Sequence, residues 1–458
     1  MDTDKRPLRH YGPLASVLYH VCVFINAYDI QIIPVCMRAF EVSLYLSPSS
    51  LSIMVTAELI CAMGVSPFWG LLADKYGCRH VESTAMLLNG LVCTLLGLAS
   101  SYPYIVFLRI LHGLGLGCTG PVIQKVITDS RPREAHGSFF GMYYAVNCLG
   151  RLASIFVTIL LAMKNISGHY GWRLCYIVMG SVWLIMGVLI YFYMKPEDDN
   201  VEIGVAPDEC SSWGVRILQC IKLMFKKRTY RILLLVIYAT ESFMSILIYT
   251  ILYLQYSGLP NVLVGVAVAV LRFGGMTGGL LGGFAIDACH KMNKTYGRIM
   301  SGAVVISVRL LLVTLLLSWP IEGGELQWYY YIGFFMLGAS LFTKESVDRP
   351  IISAVVPRES QATALSLTRV FGGMPGCAIF PSLFGYLAEK RFGYIKTSEL
   401  IEDMALETRV TNADALRRSM MCLMIASSLF ILFLYFGLFF IYPKDVEASN
   451  CSNRNHEV

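Results

Sequence analysis

Ionisable side chains interrupt several long apolar segments of this 458-residue chain. A charge inside a segment long enough to cross a membrane is costly, so each such residue is a functional candidate. An arginine presents a fork of donors that suits carboxylate or phosphate groups. A carboxylate buried alone is disfavoured in its charged form, which is the property that a proton carrier needs. The candidates are Asp29, Glu58, Arg109, Arg151, Glu241, Arg272 and Arg369.

Each candidate also has a structural interpretation. Asp29 and Glu241 have no charge partner within one helical turn, so either proton coupling or a fixed pair with a distant arginine stays open at both positions. The arginines favour an anionic organic solute, with pairing to Glu58 or Glu241 as the alternative. Lys344 and Asp348 are four residues apart, so we expect them to neutralise each other on one helix face.

The composition indicates that membrane helices position these residues. Hydrophobic residues make up 56% of the chain and charged residues 15%, whereas soluble proteins have about 25% charged residues. At roughly 20 residues per span, the apolar blocks leave room for about a dozen spans, and helices satisfy the backbone in lipid. A soluble enzyme, a nucleic-acid binder and a secreted disulfide scaffold are excluded. We predict an all-α membrane protein with the lipid bilayer, and no nucleic acid, as its partner.

Twelve spans are predicted in two groups of six. The polar stretch 195–229, which contains PEDDN and FKKRT, separates the groups. We therefore predict a first six-helix bundle at 1–194, a cytoplasmic linker at 195–229, a second bundle at 230–442 and a cytoplasmic tail at 443–458. The predicted spans are 14–38, 51–73, 81–100, 104–127, 138–163, 172–194, 230–256, 262–286, 299–319, 328–355, 362–389 and 418–442.

The distribution of positive charge predicts the orientation of the chain. With both termini in the cytoplasm, the inner segments hold 19 Lys and Arg residues and the outer segments hold 7, as the positive-inside rule requires. The sequon Asn165-Ile166-Ser167 then falls in an outer loop, so Asn165 is a predicted glycosylation site. The sequence leaves open whether the membrane is the plasma membrane or an endolysosomal membrane.

Two short motifs recur at similar spacing in the two groups of spans. GLLAD at 70–74 and GFAID at 283–287 each end the second span of their group, 213 residues apart. PRE at 132–134 and at 357–359 follows the fourth span of each group, 225 residues apart. The repeats indicate a duplication of six spans. Membrane proteins built in this way are commonly transporters.

Three motifs carry a resemblance to a known family. GLLADKYGCR at 70–79 resembles the loop signature of the major facilitator superfamily, in the expected place between the second and third spans. RILHGLG at 109–115 is similar to the superfamily's fourth-helix pattern, and GWR at 171–173 opens the sixth span as in many members. The resemblance implies twelve transmembrane helices in two pseudo-symmetric six-helix bundles.

The resemblance also implies a gate at the loop signature. A carboxylate at Asp74 can meet a helix N-terminus and pair with Arg79 or with a basic residue after the fourth span, and Gly70 would let two helices approach closely. Such a latch would open as the two halves rock. Ordinary interfacial loop charges are the alternative. The predicted gating residues are Gly70, Asp74, Gly77, Arg79, Gly283 and Asp287.

The expected function is secondary transport of a small, anionic organic solute by alternating access, driven by the solute gradient or by protons. The segments 26–29 and 355–357 faintly resemble Spinster-type lipid transporters, which makes lysolipid transport one alternative. Those proteins have an acidic residue in helix four where this chain has Leu116. A non-transporting sensor is a second alternative. There is no GxxxxGK[ST] or HExxH motif, so we expect no enzyme activity, no cofactor and no metal, and we expect a monomer.

Overall fold

The structure is a computed structural model of the chain. It describes residues 13–130, 136–166, 168–194, 221–222, 225–321, 325–355, 367–397, 399–401 and 403–454. Among these residues, ten helical segments are long and apolar enough to cross a membrane. The two other predicted spans, 138–163 and 328–355, also form helices, at His136–Leu161 and Trp328–Val355. The predicted all-α architecture of twelve spans is therefore confirmed.

The chain forms two compact units. Among the described residues, the first unit comprises those up to 45 together with 57–206, and the second comprises 46–56 together with those from 207 onward. The start of the second helix is thus grouped with the second unit. Most of the predicted linker 195–229 lies outside the described residues, so the domain boundaries proposed from the sequence stay a prediction.

Among the described residues, six helices and one short hairpin make up the first half of the chain. The helices are α1 (Pro13–Leu44), α2 (Pro48–Tyr76), α3 (Cys78–Leu98), α4 (Tyr102–Ser130), α5 (His136–Leu161) and α6 (Gly171–Tyr193). Strands β1 (Asn165–Ile166) and β2 (His169–Tyr170) join α5 to α6, with Asn165 opposite Tyr170. Within the first unit α3 packs along α6, and α1 packs along α5.

The helices of the second half follow in the predicted order. They are α7 (Arg228–Leu247), α8 (Thr250–Tyr256), α9 (Asn261–Met292), α10 (Gly297–Ser318), α11 (Trp328–Val355), α12 (Met374–Tyr386) and α13 (Leu406–Arg454). The seventh span is interrupted by a turn between α7 and α8. Two π-helical turns, Arg369–Gly373 and Leu387–Arg391, flank α12. The last helix begins well before the predicted span at 418–442.

The second unit is held together by a continuous apolar core. Helices α9 and α11 pack along each other, and α7 packs against α13. The core contains Tyr230, Leu233, Ile306, Ile351 and Tyr435, all buried. In a membrane such helix contacts depend on close packing rather than on exclusion of water, because lipid chains are as apolar as the side chains themselves.

Candidate functional site

Helices α3, α4 and α6 converge on one carboxylate of α1. Asp29 lies in the middle of α1 and is 1% exposed. Its Oδ2 accepts a hydrogen bond from the indole Nε1 of Trp183 at 2.7 Å and forms another with Nε2 of His112 at 2.9 Å. The thiol of Cys93 lies 3.6 Å from this oxygen and 3.2 Å from the imidazole nitrogen. The carboxylate that the sequence leaves without a partner is thus held by three other helices.

The contacts continue from His112 to two further predicted residues. The Nδ1 atom of His112 lies 3.3 Å from Oε1 of Glu58, an ion-pair distance without the alignment of a hydrogen bond. Arg109 donates to Oε2 of Glu58 at 3.1 Å and to the hydroxyl of Tyr176, and its guanidinium carbon lies 4.8 Å from the Tyr176 ring centroid. We call Asp29, His112, Glu58 and Arg109 the charge network.

Local sequence explains how two helices bring these groups together. Arg109 and His112 are three residues apart, so they share one face of α4. Gly113 follows His112 directly, and a Cβ atom at Gly113 would lie only 2.4 Å from the carbonyl oxygen of Glu58. Only glycine therefore lets α4 approach α2 closely enough for the two side chains to reach Glu58.

The charge network is balanced when His112 is protonated. It then contains two carboxylates and two cations, and all four side chains are buried. Buried charges are tolerated only when they are paired, and removing one partner of such a pair is strongly destabilising. Loss of the His112 proton would leave one net negative charge in a site that is buried from solvent.

The ligand atoms of Asp29, Cys93 and His112 all lie within 4.8 Å of one another. Aspartate, cysteine and histidine are all residue types that bind metal ions, so we compared their geometry with that of a metal centre. In a tetrahedral zinc site, bond lengths of about 2.0–2.2 Å place the nitrogen and oxygen ligands roughly 3.4 Å apart. The 2.9 Å contact between Asp29 and His112 is shorter, as expected for a direct hydrogen bond. We interpret the three side chains as a hydrogen-bonded group, and the absence of a metal stays a prediction.

The other predicted charges lie elsewhere. Arg151, on α5 of the first unit, is half-buried and donates from Nε to Asn147 one turn earlier at 3.1 Å. In the second unit, Glu241 on α7 is half-buried and interacts electrostatically with Cys377. Arg272 on α9 is half-buried, and Arg369 is exposed at the start of a π-helical turn. The structure therefore brings together Asp29, Glu58 and Arg109 and leaves these four outside the charge network.

The loop signature forms the turn between α2 and α3. Gly77 has a φ of 82°, a left-handed conformation that favours glycine. The guanidinium carbon of Arg79 lies 5.6 Å from the Tyr191 ring centroid, so α6 supplies one partner for this cation. The side chain of Asp74 lies outside the described part of the chain. The predicted latch between Asp74 and Arg79 therefore stays a prediction.

The packing role expected of Gly70 stays a prediction. A Cβ atom at Gly70 would meet Pro121 of α4 at 3.7 Å, an ordinary contact distance, so this position has room for a side chain. In the second copy of the motif, Gly283 is half-buried, and Asp287 lies 4.0 Å from Arg298 across the turn to α10. The gating roles of these residues stay predictions.

The second unit contains the charge pair expected from spacing. Lys344 forms an ion pair with Asp348 on α11, and Asp348 accepts a hydrogen bond from the Tyr435 hydroxyl at 2.5 Å. The expected pairing is confirmed, and all three groups are buried. Asn165 is exposed on β1, as a glycan acceptor must be, although the neighbouring Ser167 of its sequon lies outside the described residues.

Several residues of the site escaped sequence reasoning. His112 lies inside the fourth-helix motif, three residues after Arg109. An ionisable residue at membrane depth is a functional candidate, so His112 was recognisable from the sequence on that ground. Glu82, at the start of the third span, carried the same signal. Trp183, Cys93 and Tyr176 carried none, because such residues usually pack in apolar helices.

The comparisons with known proteins agree with this architecture. The profile of the Major Facilitator Superfamily matches residues 19–394. The membrane sensor protein UhpC of Escherichia coli is 22% identical over 65% of this chain and 69% of its own length. The arabinose-proton symporter of Bacillus subtilis is 27% identical over 32% of each chain. A bacterial homolog of the human lysosomal transporter Spinster, solved in an inward-facing conformation, shares the fold with a TM-score of 0.75, 16% identity and coverage of 94% of this chain and 98% of its own. The chain therefore belongs to the Major Facilitator Superfamily of membrane transporters, which are not enzymes.

Proposed function

We propose that this protein is a proton-coupled secondary transporter of a small organic solute, and that its charge network takes up and releases the coupling proton. His112 contacts the carboxylates of both Asp29 and Glu58. This double contact is the observation that carries the proposal. A proton on the imidazole neutralises the charge network, and its loss changes the charge of the interior of the first unit.

A change of buried charge can be linked to a change of conformation. A buried site with one net charge is disfavoured in a low-dielectric interior, so deprotonation favours a state in which water reaches the network. A solute that binds one of the two states better than the other then shifts the protonation equilibrium as well. Coupling of this kind needs no nucleotide and no cofactor.

The names of two relatives support proton coupling. One curated relative is an arabinose-proton symporter. A D-xylose-proton symporter has the same fold, with a TM-score of 0.64 and 15% identity. Both are sugar carriers, whereas we propose an organic anion for this chain. Arg151 supports that choice, since a half-buried guanidinium suits a carboxylate or phosphate.

The experiment measures proton movement in proteoliposomes that contain a trapped pH-sensitive dye. The external probe is a mixture of carboxylates, sugar phosphates and neutral sugars, with lysophosphatidylcholine added in a separate trial. Wild-type protein is expected to acidify the lumen when a transported probe is added. Asp29→Asn is expected to lower this solute-dependent proton flux at least tenfold.

Asp414→Asn is the matched control. Asp414, like Asp29, is an acidic residue in an ion pair, but its partners are Arg417 and Arg418 and it is partly exposed near the start of α13. This variant should transport protons as wild type does. Equal proton flux in the wild type and in Asp29→Asn would contradict the proposal.

Two other outcomes correspond to different functions. The relative UhpC is named a membrane sensor, and saturable probe binding without any accumulation would support a sensor. Movement of lysophosphatidylcholine alone would support the lipid transport suggested by the resemblance to Spinster-type proteins. Either result would replace the organic-anion proposal.

A further inference from the structure

A line of buried polar side chains runs along the inside of the first unit, from the charge network to Glu82. On α3 the line contains Glu82, Asn89 and Cys93, which are 2%, 1% and 0% exposed. Their spacings of seven and four residues place them on one face of the helix. From Glu82 to Cys93 the helix rises about 16 Å at 1.5 Å per residue.

Two neighbouring helices contribute polar groups to the same line. On α1, Tyr19, Cys22 and Asn26 precede Asp29 at spacings of three, four and three residues, and all are buried. On α4, Thr119 follows His112 by seven residues and is buried as well. Three helices thus present polar side chains to one another where an ordinary helical bundle would place leucine or valine.

Four atoms along this line are buried without a hydrogen-bond partner among the described residues. They are Oδ1 of Asp29, Nδ2 of Asn26, Oδ1 of Asn89 and Oε1 of Glu82. Buried polar atoms are nearly always satisfied by protein groups or by ordered water, and water occupies interior sites that offer two to four polar partners. A succession of donors and acceptors at this depth is suited to a file of internal water molecules.

Glu82 lies at the end of the line that is farthest from the charge network. Its carboxylate accepts a hydrogen bond from the Cys118 thiol at 3.5 Å, and the Thr119 hydroxyl also interacts with it. Tyr19 and Cys22 interact with it electrostatically from α1. Tyr143 of α5 interacts electrostatically with Tyr19. The side chains at 123–125 of α4, including Lys125, lie outside the described part. The contacts named here are with thiol, hydroxyl and phenol groups rather than with cations.

We propose that Glu82 is a second proton-carrying carboxylate, and that the buried polar line conducts protons between Glu82 and the charge network. The inference rests on the proposed function. An O–H bond at Glu82 breaks and a new one forms at the next acceptor, and the step repeats until Asp29 or His112 holds the proton. No electron transfer or other reactant is needed. Glu82 lies one turn inside α3 from Gly77, at the end of the unit that the predicted orientation makes cytoplasmic.

The first test uses infrared difference spectroscopy of the purified full-length protein during a pH change. The carbonyl stretch of a buried carboxylic acid is resolved from that of a carboxylate. The spectrum of Glu82→Gln should lack one carboxylic-acid band that Asp29→Asn retains. Identical spectra for Glu82→Gln and wild type would overturn the proposal.

The second test interrupts the line without removing either carboxylate. In Asn26→Leu a side chain of similar shape replaces a polar one, and solute-driven proton flux with the same probe mixture should slow at least tenfold. Ser154→Ala is the control, because Ser154 is a buried polar residue of α5 outside the line. An unchanged flux in Asn26→Leu contradicts the proposal even if Glu82→Gln fails to fold.

The two proposals fail in different ways. If Asp29→Asn retains the wild-type proton flux, the proposed function is wrong. If Asp29→Asn loses the flux while Glu82→Gln and Asn26→Leu match wild type in both spectrum and rate, only the inference about Glu82 is wrong.

Discussion

The indole of Trp183 fixes the position of the Asp29 carboxylate. Its Nε1 donates to Oδ2 at 2.7 Å, and both side chains are buried. Trp183→Phe removes this donor and retains most of the aromatic volume. A hydrogen bond to a charged group contributes about 1.5–3 kcal/mol, so we expect the free energy of unfolding to fall by about that amount. Denaturant titration in detergent, followed by circular dichroism, measures the change.

Trp172→Phe provides the comparison for that prediction. Trp172 is equally buried, but its Nε1 donates to the neutral hydroxyl of Ser43 at 3.0 Å. A neutral hydrogen bond contributes about 0.5–1.5 kcal/mol, so this variant should lose less stability than Trp183→Phe. If the two variants lost equal stability, the hydrogen bond from the Trp183 indole to Asp29 would contribute no more than a neutral hydrogen bond does.

The close contact between helices α2 and α4 depends on Gly113, and this contact positions the side chains of the charge network. A Cβ atom at Gly113 would lie 2.4 Å from the Glu58 carbonyl oxygen and 2.9 Å from Cβ of Cys61. Gly113→Ala must therefore push the helices apart and draw Arg109 away from Glu58. We expect both lower thermal stability and at least a tenfold loss of solute-driven proton flux.

Gly120→Ala on the same helix separates packing from helix propensity. A Cβ atom at Gly120 would meet no atom of the described residues within 4 Å, and alanine in a helix interior is favoured over glycine by about 0.5–1 kcal/mol. This variant should be as stable as wild type or more so, with unchanged proton flux. If Gly120→Ala lost as much proton flux as Gly113→Ala, the flux would depend on glycine within helix α4 itself and not on the contact between α4 and α2.

The sequence was sufficient for the helices but not for the contacts between them. Long apolar blocks specify spans because lipid permits few other structures, and buried charges marked Asp29, Glu58 and Arg109. Their partnership was not predictable, since Asp29 and His112 are 83 residues apart and no local periodicity relates two helices. Close packing was expected at Gly70, whereas the facing helix blocks a Cβ atom at Gly113, which the sequence did not single out.

Buried charges are arranged differently in the two units of the molecule. In the first unit, charges from three helices meet at a histidine that can lose a proton. In the second unit, Lys344 and Asp348 pair on one helix, and the Tyr435 hydroxyl donates to Asp348. Both members of this ion pair stand on one helix, four residues apart, so we interpret the second cluster as a structural element.

This division predicts that stability and coupling can be separated. Asp348→Asn removes the carboxylate that pairs with the buried Lys344 cation, which should cost about 3–5 kcal/mol of stability. The double variant Lys344→Met/Asp348→Asn removes that cation and retains an acceptor for Tyr435, so most of the stability should return. In both variants the number of protons moved per solute should equal that of wild type, because the charge network of the first unit is intact. Parallel measurements of thermal unfolding and of the proton-to-solute ratio in proteoliposomes test the separation. A changed ratio in the stable double variant would place the Lys344–Asp348 pair in the coupling machinery and end the structural interpretation.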